Sequence, residues 1–176
     1  MTIRRGFIGL AIATALVIGT VFPGSAPQAT AETLNFKAFN HVTKSEMIPI
    51  ADVEGHTIIV GTREGVTVFG NGDWAWIKAV AVYDFIKGAG PFDQYGTYTF
   101  LDGSTFIVRT KGTVEATPQG VSSAVKFTGD IIHGTGRFQG IKGTITTSGK
   151  VLPLEKGELG PKAFVEGTLV YTLPSK

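Results

Sequence analysis

The sequence contains no cysteine among its 176 residues. This absence excludes disulfide bonds, a thiolate nucleophile, a cysteine-ligated metal site and a lipid anchor attached to cysteine. The chain also lacks an Asn-x-Ser/Thr acceptor for N-linked sugars, a P-loop, a calcium loop and a Gly-x-Ser-x-Gly nucleophile elbow. The stability of the protein therefore depends on its hydrophobic core. None of these common motifs is present to indicate a catalytic activity.

Histidine is scarce, and its spacing does not indicate a metal site. His41, His56 and His133 are far apart, with no His-x-His or His-Glu-x-x-His pattern. The glycines at 134, 136 and 140 do not match dinucleotide-binding spacing, and a strand-like run follows them where phosphate binding needs a helix. They more simply supply positive φ at a turn. We predict neither a metal nor a cofactor.

Residues 1–31 have the pattern of a secretory signal. Arg4 and Arg5 precede an apolar run over residues 6–22, and Ala29-Thr30-Ala31 offers a signal-peptidase site. The apolar core, about sixteen residues long, is short for a membrane span. The Arg pair leaves twin-arginine export open beside Sec export. We expect cleavage after Ala31, a domain over residues 32–176, and a periplasmic or extracellular protein with no stable membrane span.

Charge does not point to nucleic acid as a partner. The chain has 16 Lys and Arg residues against 14 Asp and Glu residues. Two of the basic residues, Arg4 and Arg5, leave with the predicted signal, which makes the mature chain close to neutral. No basic run with interleaved aromatic residues is present.

The apolar pattern predicts an all-β domain. After residue 31, no window repeats apolar residues at helical spacing over three turns. Strand-like runs lie instead at residues 34–39, 56–64, 66–69, 74–86, 95–100, 105–115, 121–132, 143–151 and 163–173. Asn71-Gly72 and Asp102-Gly103 are predicted hairpin turns. Residues 40–54 show no clear period and are expected to form a loop or an irregular edge, and a short helical turn is expected within residues 134–140.

We predict that about eight antiparallel strands close into a barrel, because closure removes the exposed edges of a sheet that has no disulfides. Alternation along residues 105–115 places Phe106, Val108 and Val114 on one face and Arg109 and Lys111 on the other. Residues 74–86 are largely apolar on both faces, which predicts a strand buried on two sides. One face would line the barrel, and the other would meet a subunit or a covering loop.

Several short stretches resemble a known family. They are Gly134-Thr-Gly-Arg-Phe-Gln-Gly-Ile-Lys-Gly143, Val53-Glu-Gly-His56, Asn71-Gly-Asp73 and Tyr98-Thr-Phe-Leu-Asp-Gly-Ser104. The chain resembles the allene oxide cyclase-like barrels and the similar plant dirigent proteins, and looks like a secreted bacterial branch of unknown function. The resemblance implies an eight-stranded barrel with an apolar cavity, a dimer or trimer, and cofactor-free guidance of reactive intermediates. No position here matches the catalytic carboxylate or asparagine of the plant cyclase.

The candidate ligand-binding residues fall into three groups. The first comprises aromatic residues that could stack on a ligand: Trp74, Trp76, Tyr83 and Tyr98. The second is His133 with Arg137, which together would bind a carboxylate or carbonyl group at a barrel mouth. The third consists of the carboxylates of Glu54, Asp84 and Glu166, any of which becomes a candidate general acid if it points into the cavity. Aromatic residues in the core and solvated acids on the outer face are the simpler alternatives for these groups.

Two functional hypotheses follow. The first is an exported barrel that binds a small hydrophobic molecule in its cavity, or serves as a structural subunit. The second is a cofactor-free isomerase or cyclase that uses a buried carboxylate or tyrosine. We predict the first, with no catalytic residue assigned. A carboxylate that faces an enclosed cavity would favour the second.

Overall fold

Eight antiparallel strands pair in chain order and close on themselves in the computed structural model, which describes residues 30–118 and 121–175. The strands are β1 (Glu32–Pro49), β2 (His56–Phe69), β3 (Trp74–Ile86), β4 (Gly90–Phe100), β5 (Thr105–Val114), β6 (Ser123–Thr135), β7 (Lys142–Val151) and β8 (Ala163–Thr172). Pairing of β8 with β1 closes the barrel. The predicted closed all-β barrel is confirmed. The predicted signal lies outside the described residues, apart from Thr30 and Ala31.

The two predicted glycine turns connect strands as expected. Gly72 between β2 and β3 has φ of 88°, and Gly103 between β4 and β5 has φ of 79°. Only glycine adopts such angles without strain. Asp102 supports the second turn, since its Oδ1 accepts a hydrogen bond of 2.9 Å from the backbone N–H of Ser104.

The expected irregular stretch after residue 39 is wrong for most of its length. Residues 40–49 continue β1, which stays paired with β2 until Pro49 faces Thr57. A register shift between Val42 and Lys44 inserts an extra residue into β1. This residue breaks the two-residue alternation of apolar and polar side chains, so the sequence pattern does not indicate a strand here.

The two short runs at residues 56–64 and 66–69 are one strand, β2, interrupted in sequence by Gly65. A Cβ at Gly65 would collide with the backbone carbonyl of Phe39 on β1. The glycine therefore allows close approach of β1 and β2 and does not end the strand.

One end of the barrel, where β2, β4 and β6 finish, is filled by aromatic rings. The ring of Phe106, 1% exposed, stacks on Tyr98 with centroids 4.6 Å apart. Phe100 and Phe69 pack beside it, with centroids 5.5 Å apart. Phe138 lies 4.8 Å from Phe100 and completes the cluster. We call this the closed end; the opposite end, where β1, β3, β5 and β7 finish, is the open end.

Phe138 is brought to the closed end by a short 3-10 helix, Gly136–Phe138, which confirms the predicted helical turn. Gly136 has φ of 59°, and a Cβ there would collide with Ser104 Oγ. That hydroxyl oxygen accepts a hydrogen bond of 3.1 Å from the backbone N–H of Arg137. The positive φ predicted for this glycine turn is confirmed at Gly136, and close packing adds a second reason for glycine.

We expect Gly136→Val to destabilise the barrel by about 1–3 kcal/mol from backbone strain, because a β-branched residue is strained at positive φ. Displacement of Ser104 by the new side chain should add to this loss of stability. Urea unfolding of the mature protein measures this. Lys142→Ala, at an exposed position on β7, is the control and should change stability by less than about 0.5 kcal/mol. Equal unfolding midpoints for Gly136→Val and the wild type would show that the turn does not require a glycine at position 136.

Candidate functional site

A cavity of about 410 Å³ lies inside the barrel and reaches the open end. Its wall is formed mainly by inward-facing apolar side chains, among them Phe36, Ile77, Phe92, Val114, Phe127 and Val165. The loops after β5 and β7 contribute residues 116–118 and 152–154 to the rim. A volume of this order, with a mostly apolar lining, is typical of small-molecule sites.

The charged residues on the cavity wall are all basic. Arg63 and Lys87 line the cavity, and no Asp or Glu does so in the described part of the chain. An isomerase that depends on a carboxylate was expected to place a general acid in the cavity. The basic lining is therefore more consistent with ligand binding than with a carboxylate-dependent isomerase.

Arg63 is the more buried of the two cations, with 8% of its surface exposed. Its Nε donates a hydrogen bond of 2.6 Å to Asn40 Oδ1, and its Nη2 donates one of 2.7 Å to the carbonyl oxygen of Pro161. Both acceptors are neutral. Among the residues that the structure describes, no acidic side chain forms an ion pair with Arg63. The guanidinium is thus held in one place without charge compensation.

Two of the predicted aromatic residues line the cavity. Tyr83 on β3 packs its ring 5.2 Å from Phe85 and 5.4 Å from Phe92, near the open end. Tyr98 on β4 is 3% exposed and lies deeper, against the aromatic cluster. Burial raises the pKa of Tyr98 far above its usual value. Its hydroxyl therefore stays protonated, which makes it a possible hydrogen-bond donor and a poor base.

The two tryptophans lie outside the cavity. Trp74 and Trp76 point from the outer face of β3 and are 42% and 46% exposed, whereas Ala75 and Ile77 between and after them face inward. Alternation was correct, but the face that carries the tryptophans is the outer one. Stacking of either ring on a ligand inside the barrel is therefore not supported by their position.

The outer face of β3 is largely apolar, apart from Lys78 and Asp84, and is exposed in the single chain. No loop of the described residues covers it, so the predicted burial on both sides would require a subunit contact. Val80, Val82 and Ile86 continue the face below Trp74 and Trp76, each between 46% and 51% exposed. The predicted dimer or trimer stays a prediction, and this face is where a subunit contact would be sought.

The predicted pair of His133 and Arg137 does not stand at the mouth of the cavity. Arg137 lies at the closed end, where its Nη2 is 2.8 Å from Asp73 Oδ2 and its guanidinium lies 4.6 Å from the ring centroid of Phe100. His133 is an exposed residue of β6, and neither residue lines the cavity. Because Arg137 already pairs with acid, its role is structural at this end.

None of the three candidate carboxylates faces the cavity. Glu54 is in the β1–β2 loop with its side chain 92% exposed, 3.7 Å from Lys87 Nζ. Asp84 is on the outer face of β3, and Glu166 is exposed on β8. Each is a solvated acid, which was the simpler alternative.

Asn40 and Arg63 are the site residues that sequence reasoning missed. Asn40 falls where alternation ends, just before the register shift of β1. Arg63 shares its face of β2 with Gly61 and Gly65, so the inward face of this strand carries little apolar signal. The two-residue spacing of Arg63 with the buried Gly61 and Gly65 was the available clue that this arginine lies on the inward face of β2.

A second polar cluster lies on the outside of the open end. The ring of His56 accepts or donates hydrogen bonds at both nitrogens, with Nδ1 2.5 Å from Asp52 Oδ1 and Nε2 2.8 Å from Asp84 Oδ1. Hydrogen bonding to Asp52 and then to Asp84 raises the pKa of His56, and the His56 hydrogen bond lowers the pKa of Asp52. Together they tie the β1–β2 loop to β3.

Neither a metal centre nor a spanning helix is found within residues 30–118 and 121–175. No three or more His, Asp or Glu side chains gather there as metal ligands. No helix in those ranges is long and apolar enough to cross a membrane.

Comparison with known proteins finds the likeness in solved structures. No family model and no curated protein matches the chain. Two pterocarpan synthase dirigent proteins, GePTS1 and PsPTS1, are 15% identical to it with TM-scores of 0.48. The alignments cover 89% and 86% of this chain and 100% and 99% of theirs. At this identity and TM-score the likeness carries no argument about family, ligand or activity. The dirigent-like, allene oxide cyclase-like and bacterial assignments stay predictions.

We expect the His56 cluster to make stability depend on pH. Because folding raises the pKa of His56 above its usual 6.5, its contribution is complete below that pH and is lost as pH rises through the folded value. Asp52, with its lowered pKa, remains ionised across this window. His56→Gln should therefore lower the melting temperature more at about pH 5.5 than at about pH 9.

The matched control for this experiment is His133→Gln, which changes an exposed histidine on β6 outside any described ion pair. It should alter the melting temperature little at either pH. An equal effect of His56→Gln at both pH values would contradict a charged His56 cluster.

Proposed function

We propose that the barrel binds a small, largely apolar molecule in the cavity at its open end. The observation that carries this proposal is the uneven filling of the interior. Aromatic rings occupy the closed end, whereas about 410 Å³ remains between apolar side chains at the other. A core that served stability alone would gain by filling such space, because each unfilled volume forfeits packing.

The composition of the wall indicates what the ligand presents to it. Rings of Tyr83, Phe85 and Phe92 lie together on one side, with aliphatic residues such as Val114 and Val125 elsewhere. Apolar contact would supply most of the affinity, and the few polar groups would set orientation. The ligand enters from the open end, where the rim residues are exposed.

The alternative, a cofactor-free isomerase or cyclase, would have to work without a carboxylate from the described cavity wall. Tyr83, Tyr98 and Lys87 are then the remaining acid–base candidates on that wall. The raised pKa of Tyr98 leaves it able to donate a hydrogen bond but not to abstract a proton. Within residues 30–118 and 121–175, no hydrogen bond on the cavity wall joins a nucleophile to a base. Binding is therefore the better-supported proposal.

We also propose that the protein is exported and works as the domain over residues 32–176. The support is the signal pattern of residues 1–31, together with a first strand that begins at Glu32. A free N-terminus at Glu32 would leave β1 intact, and its partner Tyr171 would still donate a hydrogen bond of 2.7 Å to Glu32 Oε2.

Expression with the native N-terminus in a bacterial host should yield an exported protein cleaved between Ala31 and Glu32. Intact-mass spectrometry of the exported fraction measures the cleavage site. Ala31→Leu, which spoils the small residue required by the peptidase, should block cleavage at this position. Recovery of exported protein that retains Arg4 and Arg5 would contradict the assignment.

Ligand binding is tested by native mass spectrometry of freshly purified protein and by thermal shift with a panel of neutral lipids and terpenoids. A ligand at 100 times its dissociation constant should stabilise the fold by about 2.7 kcal/mol. Gly61→Leu should weaken binding at least about tenfold, because Gly61 lines the cavity and a longer side chain would occupy it.

Gly61→Ala is the matched control. Its Cβ would lie at ordinary contact distance, 3.6 Å from Lys44 O and 3.7 Å from Tyr83, so the fold and most of the cavity should be retained. Empty protein in the mass spectrometer and no thermal shift across the panel would overturn the binding proposal. The remaining role would then be structural.

A further inference from the structure

We propose that the molecule bound in the cavity carries a negatively charged group, and that Arg63 pairs with this group. The inference rests on the proposed binding function and narrows its ligand class to an apolar skeleton with a carboxylate or phosphate. It starts from an imbalance of charge in the barrel interior that the protein itself does not correct.

Burial makes the charge of Arg63 unfavourable without an anion. A guanidinium removed from water loses hydration, and proteins normally compensate by pairing it with a carboxylate. Arg63 is 8% exposed, and its two hydrogen-bond acceptors are the neutral oxygens of Asn40 and Pro161. A bound anion would supply the compensation that the described wall lacks.

The geometry of Arg63 suits this role. Hydrogen bonds of 2.6 Å and 2.7 Å engage one N–H of Nε and one of Nη2, which fixes the plane of the guanidinium. The donors not used in these bonds belong to a group that lines the cavity. Arginine presents its N–H groups as a planar fork that matches a carboxylate or phosphate. Gly61, two residues before Arg63 on the same face of β2, also lines the cavity and carries no side chain that could fill the space beside the fork.

The surroundings of Arg63 do not cancel its charge. Lys87 is a second cation at the rim, and its acidic partner Glu54 stands 3.7 Å away on the solvent side with 92% of its side chain exposed. The predicted mature chain is otherwise close to neutral. A positive cavity within a neutral protein is a local feature, and such a cleft with low-dielectric walls attracts anions selectively.

A purely structural role for Arg63 makes a different prediction. Its hydrogen bond to Pro161 ties the β7–β8 loop to β2, so replacing it would lower stability whatever the ligand. Discrimination between a charged ligand and a neutral ligand of the same shape would not change. Charge selectivity is therefore the readout that separates the two roles.

The test compares 2-naphthoate with 2-naphthylmethanol, which share a ring system and differ in charge, by isothermal titration calorimetry of the mature protein. The wild type should bind the naphthoate at least about tenfold more tightly. Arg63→Gln should reduce that preference to under about threefold while retaining affinity for the alcohol. Arg109→Gln is the control, since it removes an arginine from the outer wall near Asp93 and should leave the preference unchanged.

A third probe, 2-naphthyl phosphate, identifies the head group: tighter binding of either anion than of the alcohol supports the proposal. If the wild type binds neither anion more tightly than the alcohol, or binds only neutral members of the lipid and terpenoid panel, the proposal is overturned and the binding function stands. Failure of every probe and every panel member would overturn the binding function itself. Even if Arg63→Gln fails to fold, the wild-type comparison still decides whether the cavity prefers an anion, and the absence of such a preference overturns the proposal.

Discussion

Closure of the sheet by β1 and β8 is the interaction on which the rest of the structure depends. Nine residue pairs, from Glu32–Tyr171 to Asn40–Ala163, join the first strand to the last. The chain has no cysteine to hold its ends together, so this ladder and the side chains across it, such as Thr168 and Asn35 at 3.0 Å, do so instead. Closure also satisfies the backbone groups that an open sheet would expose at its edges. An interior that can be partly empty exists only because the barrel is closed.

The interior is filled unevenly along the barrel. At the closed end, Phe69, Phe100, Phe106 and Phe138 fill the lumen with rings 4.8–6.4 Å apart. Towards the open end, rings such as Tyr83 and Phe92 line the wall beside small inward residues such as Ala79 and Gly61, and part of the lumen remains unfilled. Large rings at one end stabilise the fold, which leaves the other end free to accommodate a ligand. This division, rather than any catalytic group, is what makes the cavity the candidate site.

The apolar surroundings of the cavity change the energetics of its polar residues. Arg63 on an outer wall would resemble Arg109, an exposed cation 3.9 Å from Asp93. Inside the barrel, the same side chain is buried beside Asn40 and meets no acid in the described chain. The energetic difference comes from desolvation. A charged side chain costs little free energy in water, but a buried one needs an oppositely charged partner. A charged apolar ligand would satisfy both the wall and the guanidinium.

The sequence by itself determined most of the strands, the glycine turns and the all-β class, because alternation and positive-φ glycines are local properties of the chain. It also determined that no cysteine chemistry is possible. Only the tertiary structure decided which face of each strand points inward: β3 is apolar on both faces, so Trp74 and Trp76 could be placed on neither side by alternation alone. The bulge in β1 and the Gly65 interruption in β2 depend on the neighbouring strand, and they hid Asn40 and Arg63. The candidate site is formed by residues from strands distant in sequence, and barrel closure is what brings them around one cavity.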